Sequence, residues 1–439
     1  MQKKTLSRYW LIIGVAALAI AGLYSLVLAG GRSPKIGDSS LLNRLFHEAL
    51  VIHVDLSVLV WFLAIFCLML SQLLKQANQP LPYLEEGALW CFALGTAAIT
   101  LSPLDPAGKA MMSNYIPVIH SPVFFFGLML IFCGTALMLI KWMTSTAGHD
   151  VNPYALSGAA MITLVALAAF IWSFMLMPEV IDGEQYYDMV FWGGGHILQF
   201  THTQVMMVTW LVLAGAAWGF QAGARFLSAM FLVGVAAVAV SPLPYLLYDI
   251  TSMAFRDFFT HQMIVAGGIA PTLLLLAMLP GLVRAFRQRQ RETRIYRAAL
   301  LMSFVLFLYG GFLGLLIQGQ NVVIPAHYHG SIVGVTLAFM GFAYVMLPKL
   351  GYRDVSQWKM AWLQPYIYGI GQIMHVSGFA WSGGYGALRK TPGGTYEGTA
   401  QIAMGLMGGG AGLAAIGGLM FVIVVIRSIL RSRAKMTTM

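Results

Sequence analysis

Long apolar stretches follow one another along almost the whole chain, and they limit what it can fold into. A helix crosses the hydrocarbon layer of a membrane with about 20 predominantly apolar residues. Such stretches lie near residues 9–30, 46–74, 86–102, 117–141, 154–177, 191–218, 226–248, 261–283, 298–318, 327–347, 361–381 and 401–430. With 59% hydrophobic and 10% charged residues, a soluble domain is excluded. We therefore predict an all-α polytopic membrane protein, a bundle of twelve transmembrane helices forming one domain over residues 1–439.

The basic residues predict how these helices are oriented. The net charge is +10, and most of the 26 lysines and arginines fall on one side of the membrane if the N-terminus is inside. Cytoplasmic segments are enriched in Lys and Arg, so both termini are predicted inside a bacterial-type inner (plasma) membrane. The basic stretch at 284–297 is then a charged inner loop, and no nucleic-acid partner is expected.

The histidines sort by depth in this topology. All of the 10 histidines except His149 fall in the outer halves of the predicted helices. Ionisable or ligating side chains inside a membrane are expensive and usually functional. This sorting predicts one layer of metal or cofactor chemistry near the outer face.

The tripeptide "HYH" places His327 and His329 two residues apart at the start of an apolar stretch. Residues two apart on an α-helix are rotated by about 200°, so the two imidazoles point to nearly opposite sides. The spacing does not match zinc sites of the HExxH type. Neutral imidazole suits haem iron and copper, so this helix is predicted to offer a ligand to a cofactor on each side.

Together with the span order, the segments "HVDLSVLVWFLA" and "HYHG" resemble subunit I of the haem–copper oxidoreductase superfamily, which comprises cytochrome oxidases and nitric oxide reductases. The resemblance implies two haems in a twelve-helix subunit. It implies that His53 and His329 are the axial ligands of a low-spin haem. His327 is implied as the proximal ligand of a high-spin haem.

Two further segments extend the resemblance. "WGGGHILQF" resembles the segment that carries the first ligand of the non-haem metal, here His196. Its three glycines would let the backbone approach a flat macrocycle closely. "MHVSGFAWSGGYGALRK" resembles the segment near the haem propionates, which implies Arg389 and Lys390 as their partners, with His375 nearby.

The sequence departs from the family pattern where the other ligands of the non-haem metal are expected. The family usually has two adjacent histidines there, whereas "RDFFTHQM" contains one, His261. Candidates for the third ligand are Asp257, Gln262, Thr260 and His202. Asp257 leads, because it lies four residues before His261 and would share its helix face. The metal is copper or iron.

Two other departures bear on the reaction. Many oxygen reductases have a redox-active tyrosine four residues after the histidine of the sixth span, where this chain has Phe200. Tyr245 and Tyr248 are the candidates to replace that phenol. The inner halves of the sixth and eighth spans also lack a lysine, carboxylate or tyrosine that could relay protons.

These features predict the catalytic subunit of a respiratory terminal oxidoreductase. His196, His261 and His327 are its predicted catalytic residues, and a small gas is its substrate. An external subunit with a cytochrome c or cupredoxin domain is expected to donate electrons. Reduction of nitric oxide to nitrous oxide leads, because it requires neither a phenol nor an inner proton channel. The alternatives are dioxygen reduction at an atypical site and a non-catalytic haem protein that acts as a sensor or electron shuttle.

Overall fold

The structure is a computed structural model that describes residues 3–31, 40–75, 81, 83–145, 153–288, 290–317, 321–383 and 398–436. Helices dominate these ranges. They are α1 (Lys3–Gly31), α2 (Ser40–Val54), α3 (Trp61–Leu74), α4 (Tyr83–Leu101), α5 (Pro122–Thr144), α6 (Pro153–Leu176), α7 (Gly183–Trp218), α8 (Ala224–Ala239), α9 (Leu243–Leu247), α10 (Met253–Ala266), α11 (Ile269–Gln288), α12 (Arg294–Gly314), α13 (Val323–Lys349), α14 (Lys359–Gly383) and α15 (Gly398–Met436). A π-helical segment, Asp55–Val60, joins α2 to α3, and a short 3-10 helix, Ser102–Leu104, follows α4.

The predicted polytopic membrane fold is confirmed. Within the described ranges, 11 helical segments are long and apolar enough to cross a membrane. Helix α14 is the twelfth span: its 25 residues extend over about 37 Å, more than the hydrocarbon thickness. Two boundaries differ most from the sequence prediction, and the first is the start of the sixth span, at Gly183 rather than near 191. The eighth span begins at Met253 rather than near 261, so His261 lies two turns inside its helix instead of at its start.

The chain forms two compact units. The first contains Met1–Ala21, His47–Val208 and Ala222–Leu274, and the second contains Gly22–Phe46, Thr209–Gln221 and Leu275–Met439. The prediction that residues 1–439 form a single domain remains a prediction.

In the first unit, α4 and α5 pack closely through glycines and are joined by a small β-hairpin. A Cβ on Gly95 would lie 2.8 Å from the carbonyl oxygen of Gly127, so the two backbones touch. Strands β1 (Ala110–Met111) and β2 (Val118–Ile119) pair antiparallel between these helices, with Ala110 opposite Ile119. The hairpin loop, residues 112–117, carries Tyr115.

In the second unit, α14 and α15 pack backbone to backbone through glycines spaced seven residues apart. A Cβ on Gly371 would lie 2.9 Å from the carbonyl oxygen of Gly410, and one on Gly378 would lie 2.6 Å from the carbonyl oxygen of Ala403. Small residues let membrane helices approach in this way, because packing replaces the hydrophobic effect as the driving force. Gly371 and Gly378 thus let the backbones of α14 and α15 come into direct contact.

A Gly371→Ala substitution is therefore expected to destabilise the second unit. The new methyl group would overlap backbone atoms of α15 that cannot move aside, at a cost of about 1–3 kcal/mol. Gly412→Ala in α15 is the matched control, because nothing lies within 4 Å of a Cβ there. Thermal unfolding of both variants in the same detergent should show a lower transition temperature for Gly371→Ala alone. Equal transition temperatures would contradict this account of the helix contact.

Candidate functional site

The start of α13 positions two of the predicted ligands. Just before the helix, the side-chain oxygen of Asn321 accepts a hydrogen bond from the backbone N–H of Val323, the first residue of α13, at 2.9 Å. Pro325 is tolerated here because the first turn of a helix has no internal acceptors for its N–H groups. His327 and His329 follow in the next turn, both half-buried.

His327 faces α12. Its Nδ1–H donates to the carbonyl oxygen of Gly310 at 2.7 Å. Its ring fills the space left by the missing side chain of Gly314, where a Cβ would lie 2.6 Å from Nδ1. Because Gly310 and Gly330 also meet backbone to backbone, α12 and α13 are close enough for this ring to bridge them.

His329 faces α14 instead. Its ring lies edge to face with that of His375 at 5.2 Å between centroids, and Phe379 flanks it at 5.7 Å. His375 is itself anchored on α15, because its Nδ1–H donates to the carbonyl oxygen of Met407 at 2.9 Å. The two histidines of α13 therefore contact different neighbouring helices, as their spacing predicts.

The hydrogen bonds at Nδ1 determine the tautomers of the predicted haem ligands. His53 donates from Nδ1 to the carbonyl oxygen of Ala21 at 2.9 Å, and His329 donates to that of Pro325 at 2.9 Å. A carbonyl oxygen has no proton to give, so in each ring Nδ1 carries the hydrogen and Nε2 the lone pair. Ligating histidines are commonly oriented by such a bond. The donor chemistry of these residues, with His327, fits axial ligation of haem iron.

The first unit places His196 in an aromatic cage. His196 is 3% exposed, and its ring lies 4.6 Å from Tyr115 and 4.9 Å from Trp192, centroid to centroid. Phe259 of α10 lies 5.8 Å away. From the sequence, the three glycines before His196 were predicted to let the backbone approach a macrocycle. In the structure, aromatic side chains of the chain itself pack against these glycines. Gly193 faces Tyr245, and the next two glycines face Phe170 and Tyr115.

Tyr115, on the hairpin loop, makes a polar contact with His196. The Tyr115 hydroxyl lies 2.7 Å from Nε2 of His196. Nδ1 of His196 lies 2.8 Å from the carbonyl oxygen of Trp192, so Nδ1 donates there and Nε2 accepts the phenol proton. The loop is anchored on α7, because Asp188 accepts from the backbone N–H of Asn114 at 2.7 Å. Burial, and then the charge of Asp188, raises the pKa of Tyr115, which keeps the phenol a donor.

The structure does not bring His261 and Asp257 to His196. Both are exposed on α10, and the contact between them joins Nδ1 of His261 to the backbone carbonyl oxygen of Asp257 at 2.7 Å rather than to its carboxylate. Among the described residues, no group of three or more His, Cys, Asp or Glu side chains could hold a metal ion. The predicted non-haem metal site therefore does not fit the donor set observed.

The side chains of the other candidates for the third ligand make contacts with residues other than His196. Gln262 donates to the carbonyl oxygen of Ala237 at 2.6 Å, and Thr260 donates to that of Arg256 at 3.0 Å. The ring of His202 packs edge to face against Phe62 at 4.8 Å. Arg389 and Lys390, the predicted propionate partners, lie outside the described residues.

The two candidate tyrosines, Tyr245 and Tyr248, differ in burial. Tyr248 is 41% exposed, whereas Tyr245 is buried and lies 2.9 Å from the hydroxyl of Ser173. Phe200 is buried as well. The phenol that contacts His196 is Tyr115, which the sequence analysis missed. Its position in a loop 81 residues before His196 carries no periodic signal that could have indicated it.

Asp55 is a second residue that the sequence analysis did not single out. It is 1% exposed at the start of the π-helical segment, and neither carboxylate oxygen has a hydrogen-bond partner within the described part of the chain. An acidic residue inside an apolar span was a usable signal. Burying a carboxyl group without a hydrogen-bond partner costs free energy, which a bound polar group would offset.

Comparison with known proteins places the chain. No protein-family model matches it. A protein of Rickettsia prowazekii (strain Madrid E), "Uncharacterized protein RP382", is 32% identical over 95% of this chain and 94% of its own length. The chain belongs to the family of this Rickettsia protein. A second relative, "Uncharacterized protein" of Aquifex aeolicus (strain VF5), is 26% identical over 79% of the chain and 85% of its own length.

A solved structure shares the fold of this chain. It is described as "Cryo-EM structure of a heme-copper terminal oxidase dimer provides insights into its catalytic mechanism". It matches with a TM-score of 0.69 and 15% identity over 98% of this chain and 84% of that chain. At this identity the likeness establishes the fold, and the fold that the sequence resemblance implied is thereby confirmed.

Proposed function

We propose that the chain is the catalytic subunit of a respiratory oxidoreductase of the haem–copper type that reduces a small gas. The observation that carries the proposal is the shared geometry of His53, His327 and His329. Each donates its Nδ1–H to a main-chain carbonyl oxygen at 2.7–2.9 Å, which orients the ring and leaves the lone pair on Nε2. Three imidazoles prepared in this way suit axial ligation of two haems.

In this proposal His53 and His329 ligate a low-spin haem, and His327 ligates a high-spin haem. The bound haems would supply electron storage and an iron atom that binds the gas. The chain supplies ligand orientation through its backbone carbonyls and an apolar surrounding such as Phe379 beside His329. Electrons come from a partner subunit with a cytochrome c or cupredoxin domain, at the outer face of a bacterial-type inner membrane.

Nitric oxide is the leading substrate. Its reduction to nitrous oxide takes two electrons and two protons, and it does not depend on a phenol that supplies an electron. Phe200 stands where many oxygen reductases have that phenol, which supports this reaction.

Dioxygen is the second candidate, and one observation favours it. The hydroxyl of Tyr115 lies 2.7 Å from Nε2 of His196, so the chain does place a phenol against this histidine. Neither Tyr245 nor Tyr248 makes that contact in the described structure.

The proposal is tested on the purified, reduced complex. Haem content is measured first, and consumption of nitric oxide and of dioxygen is then measured side by side with an artificial electron donor. We expect two haems per chain, fast loss of nitric oxide and slow uptake of dioxygen. Fast dioxygen uptake would select the second candidate. A protein without haem, or a haem protein that consumes neither gas, would contradict the proposal; the latter is the expected behaviour of a sensor or electron shuttle.

A further inference from the structure

Both ring nitrogens of His196 are used within the chain. Nδ1–H donates to the carbonyl oxygen of Trp192 at 2.8 Å, and Nε2 accepts from the hydroxyl of Tyr115 at 2.7 Å. A neutral imidazole has one donor and one acceptor nitrogen, so this pairing satisfies the ring completely. A metal ion would need the lone pair on Nε2 that the phenol already occupies.

The backbone is shaped to receive the phenol. Gly195 lies directly against the ring of Tyr115, which meets the place where a Cβ would stand, so any larger residue would displace the tyrosine. The hydrogen bond from Asn114 to Asp188 holds the loop from the other side. Three features independent of each other, a gap, an anchor and a hydrogen bond, therefore point Tyr115 at His196.

Helix α10 presents a hydrophobic ring to His196 instead of a second ligand. Phe259 contacts the imidazole at 5.8 Å between centroids. His261 comes two residues later, which rotates its side chain by about 200° around the helix, and it is exposed. Two nitrogen ligands of one metal ion each lie about 2.0–2.1 Å from it. His196 and His261 cannot both do so, because His261 lies on the face of α10 opposite to the one that contacts His196.

His202 is excluded by its distance along α7. It lies six residues after His196, which corresponds to about 9 Å along the helix axis and about 120° of rotation. Its ring packs against Phe62 of α3, so it points to a different surrounding. Among the described His, Cys, Asp and Glu side chains, no set of three converges.

We propose that Tyr115 and His196 form a lasting hydrogen-bonded pair, and that this chain holds haem without a non-haem metal ion at His196. This replaces the prediction that His196, His261 and Asp257 bind copper or iron. The inference rests on the haem ligation of the proposed function and narrows its cofactor content to haem alone.

The test is the metal content of the full-length, haem-loaded protein from cells grown with excess copper and iron. Total iron, copper and zinc are measured by mass spectrometry, and haem is measured independently as its pyridine complex. We expect total iron to equal haem iron, with copper and zinc at trace level. One additional metal ion per chain, lost in His196→Ala and retained in His120→Ala, would overturn the inference. His120 is a fair control, because it too bonds a tyrosine hydroxyl, that of Tyr187 at 2.8 Å.

A second measurement reports the pair itself. Nitrogen-15 NMR of histidine-labelled protein, reduced and bound to carbon monoxide so that the haems are diamagnetic, is compared between the wild type and Tyr115→Phe. We expect a shift confined to one Nε2 resonance, that of His196, because only its donor is removed. Identical spectra would overturn the pairing. Protein without haem would instead contradict the proposed function, so the two failures are distinguishable.

Discussion

Replacing His327 with alanine is expected to remove about half of the bound haem and abolish gas consumption, while the protein still accumulates in the membrane. The ring is the proposed ligand of the high-spin haem, and its Nδ1–H bond to Gly310 at 2.7 Å fixes its orientation. The three atoms nearest to a Cβ on Gly314 all belong to the His327 ring, so the substitution would empty this position. Haem is measured as its pyridine complex, and gas consumption is measured electrochemically.

The matched control is His120→Ala. His120 also uses Nδ1 in a hydrogen bond, with Tyr187, but it is exposed and is not a proposed haem ligand. It should retain its haem and its turnover. Full haem content and normal turnover in His327→Ala would refute the assignment of His327.

The second large effect concerns a buried ion pair in the first unit. Lys141, in the last turn of α5, pairs with Glu85, in the first turn of α4, and both side chains are nearly inaccessible. Glu85 also accepts from the hydroxyl of Ser71 at 2.5 Å and from the indole N–H of Trp10 at 3.3 Å. Lys141→Met would leave a buried carboxylate without its counter-charge, which typically costs about 3–5 kcal/mol.

Thermal or denaturant unfolding in detergent checks this prediction. Lys109→Met is the control, because Lys109 is exposed and its substitution should leave stability within about 0.5 kcal/mol. The double variant Lys141→Met with Glu85→Gln should recover part of the loss, since no charge then remains buried. An unfolding transition of Lys141→Met that matches the control would show that the pair does not stabilise the fold.

Much of the fold could be predicted because it depends on local regularities of the sequence. Apolar stretches of membrane-spanning length become helices, since backbone groups in lipid must bond within their own helix. The two-residue spacing of His327 and His329 sends their rings toward α12 and α14 by helix geometry alone. Spacing of seven residues between Gly371 and Gly378 likewise keeps both on one face of α14.

The side chains that surround His196 could not be predicted from local regularities of the sequence. The sequence places three glycines before it, but which rings fill their gaps depends on Tyr115, Phe170 and Tyr245, from three other segments of the chain. The rotation of α10 about its own axis could not be predicted from the sequence either. Phe259 of α10 contacts His196, whereas His261, two residues later on the same helix, points to nearly the opposite side.

The sequence by itself therefore determined the membrane fold, its twelve spans and the directions of neighbouring side chains on one helix, because hydrophobicity and helical period act over a few residues. Tertiary structure alone decided that a phenol from a loop occupies Nε2 of His196. That contact joins residues 81 positions apart, and it exists because Gly195 leaves room for the ring and Asp188 holds the loop in place.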